Sequence, residues 1–103
     1  MIHSKFFHCK NIFKILLLSN IGDVNRSAKR WAAATQAYQQ ALAISRTIGD
    51  RVAEAWRLNE LGLLAEDCQE WEDALSWFDQ ALAIFEELNQ PANQAVVERN
   101  RAN

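Results

Sequence analysis

Tyr38–Ser45 reads YQQALAIS and Phe78–Phe85 reads FDQALAIF, so a chain of 103 residues says nearly the same thing twice, 40 residues apart. The run Gln40-Ala41-Leu42-Ala43-Ile44 recurs unchanged as Gln80-Ala81-Leu82-Ala83-Ile84. Shifting the chain on itself by 40 carries the match outward. Leu18 meets Leu58, Ile21 meets Leu61, Gly22 meets Gly62, Trp31 meets Trp71, Ala34 meets Ala74 and Tyr38 meets Phe78. Trp31, Ala34, Tyr38, Ala41, Leu42 and Ser45 follow at helical steps of three and four, and Trp71, Ala74, Phe78, Ala81, Leu82 and Phe85 repeat those steps. Such spacing puts each set on one face of an α-helix. Leu58, Leu61, Gly62 and Ala65 make a third stripe. The matches therefore sit on faces that helices bury, as stacked helix pairs require, because each pair must offer its neighbour the same packing surface.

Composition agrees with helices. Three glycines and one proline leave little material for the tight turns of a strand-rich fold, and half the residues are hydrophobic, enough for a core. Gly49 follows a periodic run and stops it, Asp50 can cap the next helix, and Pro91 suits a first helical turn. The pattern predicts helices near 11–28, 30–48, 51–67, 70–88 and 91–101. The fold class is all-α: an α-solenoid of antiparallel helix pairs, two repeats plus a terminal helix. The expected organisation is an N-terminal extension over 1–14, a first repeat over 15–54, a second over 55–90 and a terminal helix over 91–103.

With those residues in hand, the chain resembles the tetratricopeptide repeat (TPR) family. That family's unit has a large residue and a Leu-Gly pair in its first helix; its second helix carries an aromatic, then Ala, then an aromatic followed by Ala-Leu. Here the features read Leu18, Ile21, Gly22, Trp31, Ala34, Tyr38, Ala41 and Leu42, then Leu58, Leu61, Gly62, Trp71, Ala74, Phe78, Ala81 and Leu82. The six extra residues per repeat, around TIGDRV, match the elongated variety. Gly22, Gly62 and the alanines allow close helix approach, while Trp31, Trp71, Tyr38 and Phe78 are expected to fill the space between successive pairs. Asn25, Lys29, Arg46 and Glu86 depart from the family pattern, Lys29 by standing where a turn glycine is usual.

The resemblance implies a non-catalytic module that binds a peptide or partner helix in a concave groove lined by the first helix of each pair. Carried over by position, the groove residues are Leu16, Ser19, Asp23 and Arg26, then Trp56, Asn59, Leu63 and Glu66, then Val96 and Arg99. Trp56 lies off the repeated packing pattern and is the natural anchor. The family's carboxylate clamp for chaperone tails would fall on Ser19, Asp23, Glu60, Val96 and Asn100. Only Asn100 has the right chemistry, and two acids there repel a carboxylate.

Other chemistries find no footing. His3, His8 and Cys9 lack zinc-ligand spacing, and Glu66, Asp67, Glu70, Glu72 and Asp73 read as a solvated acidic turn. No metal site, cofactor or catalytic set is expected. Cys9 and Cys68 carry no disulfide-scaffold spacing and suit reduced thiols in the cytoplasm. Ile15–Leu18 is the longest unbroken apolar run of the N-terminal segment, far short of the ~20 residues a membrane span needs. The net charge of −2 is split into +6 over residues 1–51 and −8 over residues 52–103. Such asymmetry bears on association. The pI near 5.6 speaks against nucleic acid. Two and a half pairs also leave ends to cover, with Phe85, Leu88 and Val97 at one and Phe6, Phe7, Ile12 and Phe13 at the other. The alternative reading is therefore an assembly unit that pairs with another copy, or part of a longer array.

Overall fold

The computed structural model describes residues 2–102, with side chains from Cys9 to Ala102. Five helices follow in order: α1 Ile2–Ser27, α2 Trp31–Ile48, α3 Arg51–Asp67, α4 Trp71–Glu87 and α5 Pro91–Ala102. No strand occurs among the described residues. α1 packs on α2 and α3 on α4 as pairs, α2 on α3 joins the pairs, and α5 lies on α4. The 17 Å short axis of the Cα envelope is two helix layers thick. The helices match the sequence pattern closely except at the N-terminus, where α1 begins at Ile2 and runs 26 residues. Lysines at 5, 10 and 14 break the apolar pattern there, yet they are good helix formers, and no glycine or proline interrupts residues 2–21.

The four turns share one construction. Lys29, Gly49, Gln69 and Asn89 are the residues of positive φ, at 62°, 72°, 60° and 54°. After each, the next amide reaches back five residues: Arg30 to Asn25, Asp50 to Ser45, Glu70 to Ala65 and Gln90 to Phe85, at 2.8–3.0 Å. The left-handed residue itself bonds three back in every case, as in Gly49 to Arg46 at 3.2 Å. This is the Schellman closure, which satisfies the orphan carbonyls at a helix end. Only one of the four positions holds glycine, so the other three bear the Cβ strain of that conformation. Asp50 caps α3 as its sequence position suggests, accepting from the Ala53 amide at 3.0 Å.

The pairs close through an aromatic ring laid on a glycine. A Cβ on Gly22 would fall 2.5 Å from Cδ1 of Tyr38, and one on Gly62 would fall 2.5 Å from Cε1 of Phe78. Tyr38 and Phe78 are both fully buried, with Ala34, Ala41, Ala74 and Ala81 beside them. These two rings thus fill the space inside each pair, not the space between pairs. Trp31 packs against the common core, but Trp71 is 58% exposed.

The expected bare end at Phe85 and Val97 is not bare. Both are fully buried and Leu88 is half-buried, because α5 packs on α4 with Val97 turned inward and Ala95, Glu98, Arg99 and Ala102 turned to solvent. At the other end Ile12 is half-buried and Phe13 is 69% exposed. The side chains of Phe6 and Phe7, like those of His3 and His8, lie outside the described residues.

Two substitutions test these devices. Gln69→Gly should raise stability by about 0.5–1 kcal/mol, by relieving left-handed strain partly offset by unfolded-state entropy. Gly62→Ala should lower it by about 1–3 kcal/mol, through the clash with the Phe78 ring. Urea denaturation midpoints read both.

Candidate functional site

The first helices α1, α3 and α5 touch one another through polar side chains. Ser19 Oγ donates to Glu60 at 2.8 Å, Arg26 Nε to Asp67 at 2.6 Å, and Asn100 Nδ2 to Asn59 at 3.0 Å. Each contact joins residues 41 apart, so the same stitch is repeated from α1 to α3 and from α3 to α5. Arg57 Nη2 reaches Glu60 at 2.7 Å. Burial pushes the Glu60 carboxyl above its ordinary range, with Arg57 and Ser19 pulling it back.

This seam accounts for several of the residues that position alone assigns to a groove. Ser19 and Asn59 are buried and engaged in the stitch. Arg26 is half-buried on Asp67. Asp23 is exposed and accepts a 2.6 Å bond from the Tyr38 hydroxyl; burial, then the Asp23 carboxylate, pushes that phenol well above its usual range. Leu63, Glu66 and Val96 are half-buried, and Arg99 is exposed. Of the clamp positions, Asn100 is taken by Asn59, and Glu60 by Ser19 and Arg57.

Leu16 and Trp56, one repeat apart, come together. They line a cleft of about 290 Å³ between α1 and the first half of α3, with Ile12, Ile15, Val52 and Ala53. Trp56 is half-buried; its ring meets Phe85 edge-on, centroids 5.0 Å apart at 62°, so the core holds it in place. Leu16 is 54% exposed. The lining is apolar apart from Asp50 and Arg57, and with a core-backed tryptophan it suits an apolar side chain from a partner.

Arg57 also lines this cleft and escapes a reading by family position. It is buried, and its Nε is the one buried side-chain nitrogen or oxygen without a hydrogen-bond partner among the described residues. A signal was present in the sequence, since Arg57 stands where the register puts Leu17 and Val97. An unmet N–H costs about 1–3 kcal/mol while it stays unpaired.

No group of three His, Cys, Asp or Glu side chains among the described residues is close enough to hold a metal. Partial burial, then Glu70 and Asp67, pushes the Cys68 thiol up and away from thiolate reactivity. No described helix is long and apolar enough to cross a membrane.

A family model described as tetratricopeptide repeat matches residues 13–100. No curated protein matches the chain.

Tyr38→Phe, which makes the first pair like the second at that position, should cost about 1–2 kcal/mol by removing the bond to Asp23. Thermal unfolding should show this loss with an unchanged far-UV spectrum.

Proposed function

The chain belongs to the tetratricopeptide repeat family, and from that premise we propose that it binds a protein segment along α1 and α3, in the cleft of Leu16 and Trp56. Such repeats generally mediate protein–protein interaction and are typically non-catalytic. What carries the finer reading is the apolar anchor surface of Leu16 and a core-backed Trp56 brought together in one cleft. A peptide or helix would place a Leu- or Phe-like side chain between Leu16 and Trp56, trading exposed apolar surface for packing. Glu66, farther along α3, and Arg99, on α5, would meet charges that flank such an anchor. Ser19 and Arg26 would act indirectly by holding α1 and α3 at the spacing that opens the cleft, and Asn59 by tying α3 to α5. The free cysteines Cys9 and Cys68 suit a reducing, cytoplasmic setting.

Peptides selected from a random display library against the whole chain should share an apolar anchor. Trp56→Ala should weaken their binding at least tenfold, with helicity unchanged by circular dichroism. Leu16→Asp provides the control for folding, because that side chain is largely exposed; it too should weaken binding tenfold. Selected peptides that bind both variants as tightly as the parent would refute the cleft.

A further inference from the structure

One side of α1 is apolar and open, bordered at Lys14 and Leu17 by a cleft shared with Gln40, Ala43 and Ile44 of α2. Phe13, Leu17, Ile21 and Val24 follow at steps of four and three and are 69, 49, 42 and 68% exposed. Their counterparts one repeat on, Ala53, Arg57, Leu61 and Leu64, are half-buried or buried, the last two beside α2 and the first two on the α1–α3 cleft. Within this chain, then, the cover for such a face is the outer side of a second helix. α2 supplies Thr35 and Gln39, which share a cleft with Leu61 and Leu64, and Arg46, whose Nε donates to Glu54 at 3.0 Å.

The other second helix, α4, offers the same surface in the same register. Trp71, Leu75 and Glu86 stand where α2 has Trp31, Thr35 and Arg46. Trp71 and Leu75 are 58 and 41% exposed, and they are the large apolar side chains left bare outside α1. The charge pair survives the shift with its signs exchanged. Where α2 and α3 have Arg46 and Glu54, α4 and α1 have Glu86 and Lys14. Neither Lys14 nor Glu86 has an ion-pair partner among the described residues. On the larger scale, +6 over residues 1–51 faces −8 over residues 52–103.

In the single chain the seat on α4 is held by α5, which fits it less completely. α5 places Asn93, Gln94, Val97 and Arg101 where α1 has Phe13, Lys14, Leu17 and Ile21. Its described residues leave Trp71 and Leu75 exposed. Val97 is its one buried side chain, and a helix of 12 residues is marginal without its packing.

We infer that α1 of one copy takes the place of α5 on α4 of another, joining copies head to tail through the interface that joins α2 to α3 within one chain. The contact uses two different surfaces, so it does not close at two copies. It unites opposite charges, so salt weakens it.

Sedimentation velocity of the full chain between ~1 and ~100 μM tests this, at ~0.05 and ~0.5 M salt, where screening differs severalfold. The mean mass should climb past two copies with concentration and fall with salt. Lys14→Glu and Glu86→Lys should each weaken association about three- to tenfold, and the chain carrying both changes should recover it. Leu75→Asp should abolish it. Lys14, Leu75 and Glu86 are exposed in the single chain, so each variant should keep its helicity. A parent chain that stays single at ~100 μM overturns the inference. So does a species that stops at two and ignores Glu86→Lys and Leu75→Asp, which is the signature of α1 pairing with α1.

Discussion

An aromatic ring resting on a glycine sets the spacing of each helix pair. Where Tyr38 lies on Gly22 and Phe78 on Gly62, even one added methyl has no room, so the two helices meet at a distance fixed by the ring's thickness. The alanines at 34, 41, 74 and 81 continue the same close approach along the second helix. Because both pairs are closed in one way, α3 can sit on α2 with its own core already formed. Phe85 is then positioned to back Trp56, and the line from glycine to anchor residue is continuous. The polar stitch between first helices depends on that spacing too, since hydrogen bonds of 2.6–3.0 Å tolerate little drift.

The repeat was legible because it is written in the residues that packing constrains most. Gly22, Gly62, Ala34, Ala74 and the doubled Gln-Ala-Leu-Ala-Ile leave few alternatives to helices in pairs. Periodicity says nothing about neighbours. Tyr38 and Phe78 lie on the correct face, but a stripe does not tell whether its partner is the same pair or the next. Phe85 and Val97 read as an uncovered end because α5 looked like an interrupted repeat; it buries one valine and shows solvent a polar back. The turn at Lys29 read as a departure from the family pattern, yet hydrogen bonding holds a lysine in the conformation a glycine would take freely.

The candidate surface was less legible. Position within a repeat identifies which helix faces a groove, but it does not show which polar residues are spent on the helix alongside. Ser19 and Asn59 are spent in this way, while Leu16 and Trp56 remain available. The bridging partners lie 41 residues away and on a different helix, beyond the reach of any local pattern. Arg57 carried a local signal, a charge in an apolar register. Its significance depends on a cleft that only the fold assembles.

The left-handed turn residues at 29, 49, 69 and 89 are evenly spaced, and that regularity has a genetic consequence. A recombination event that copies 40 residues, cut at any point in the cycle, leaves every turn in phase and every ring over its glycine. The new junction would set a copied first helix against a second helix, a joint the chain already makes between α2 and α3. A loss or gain of one residue inside a helix has the opposite effect, swinging everything beyond it by about 100°. Genes of this kind can therefore lengthen by whole units far more readily than they can change by single codons.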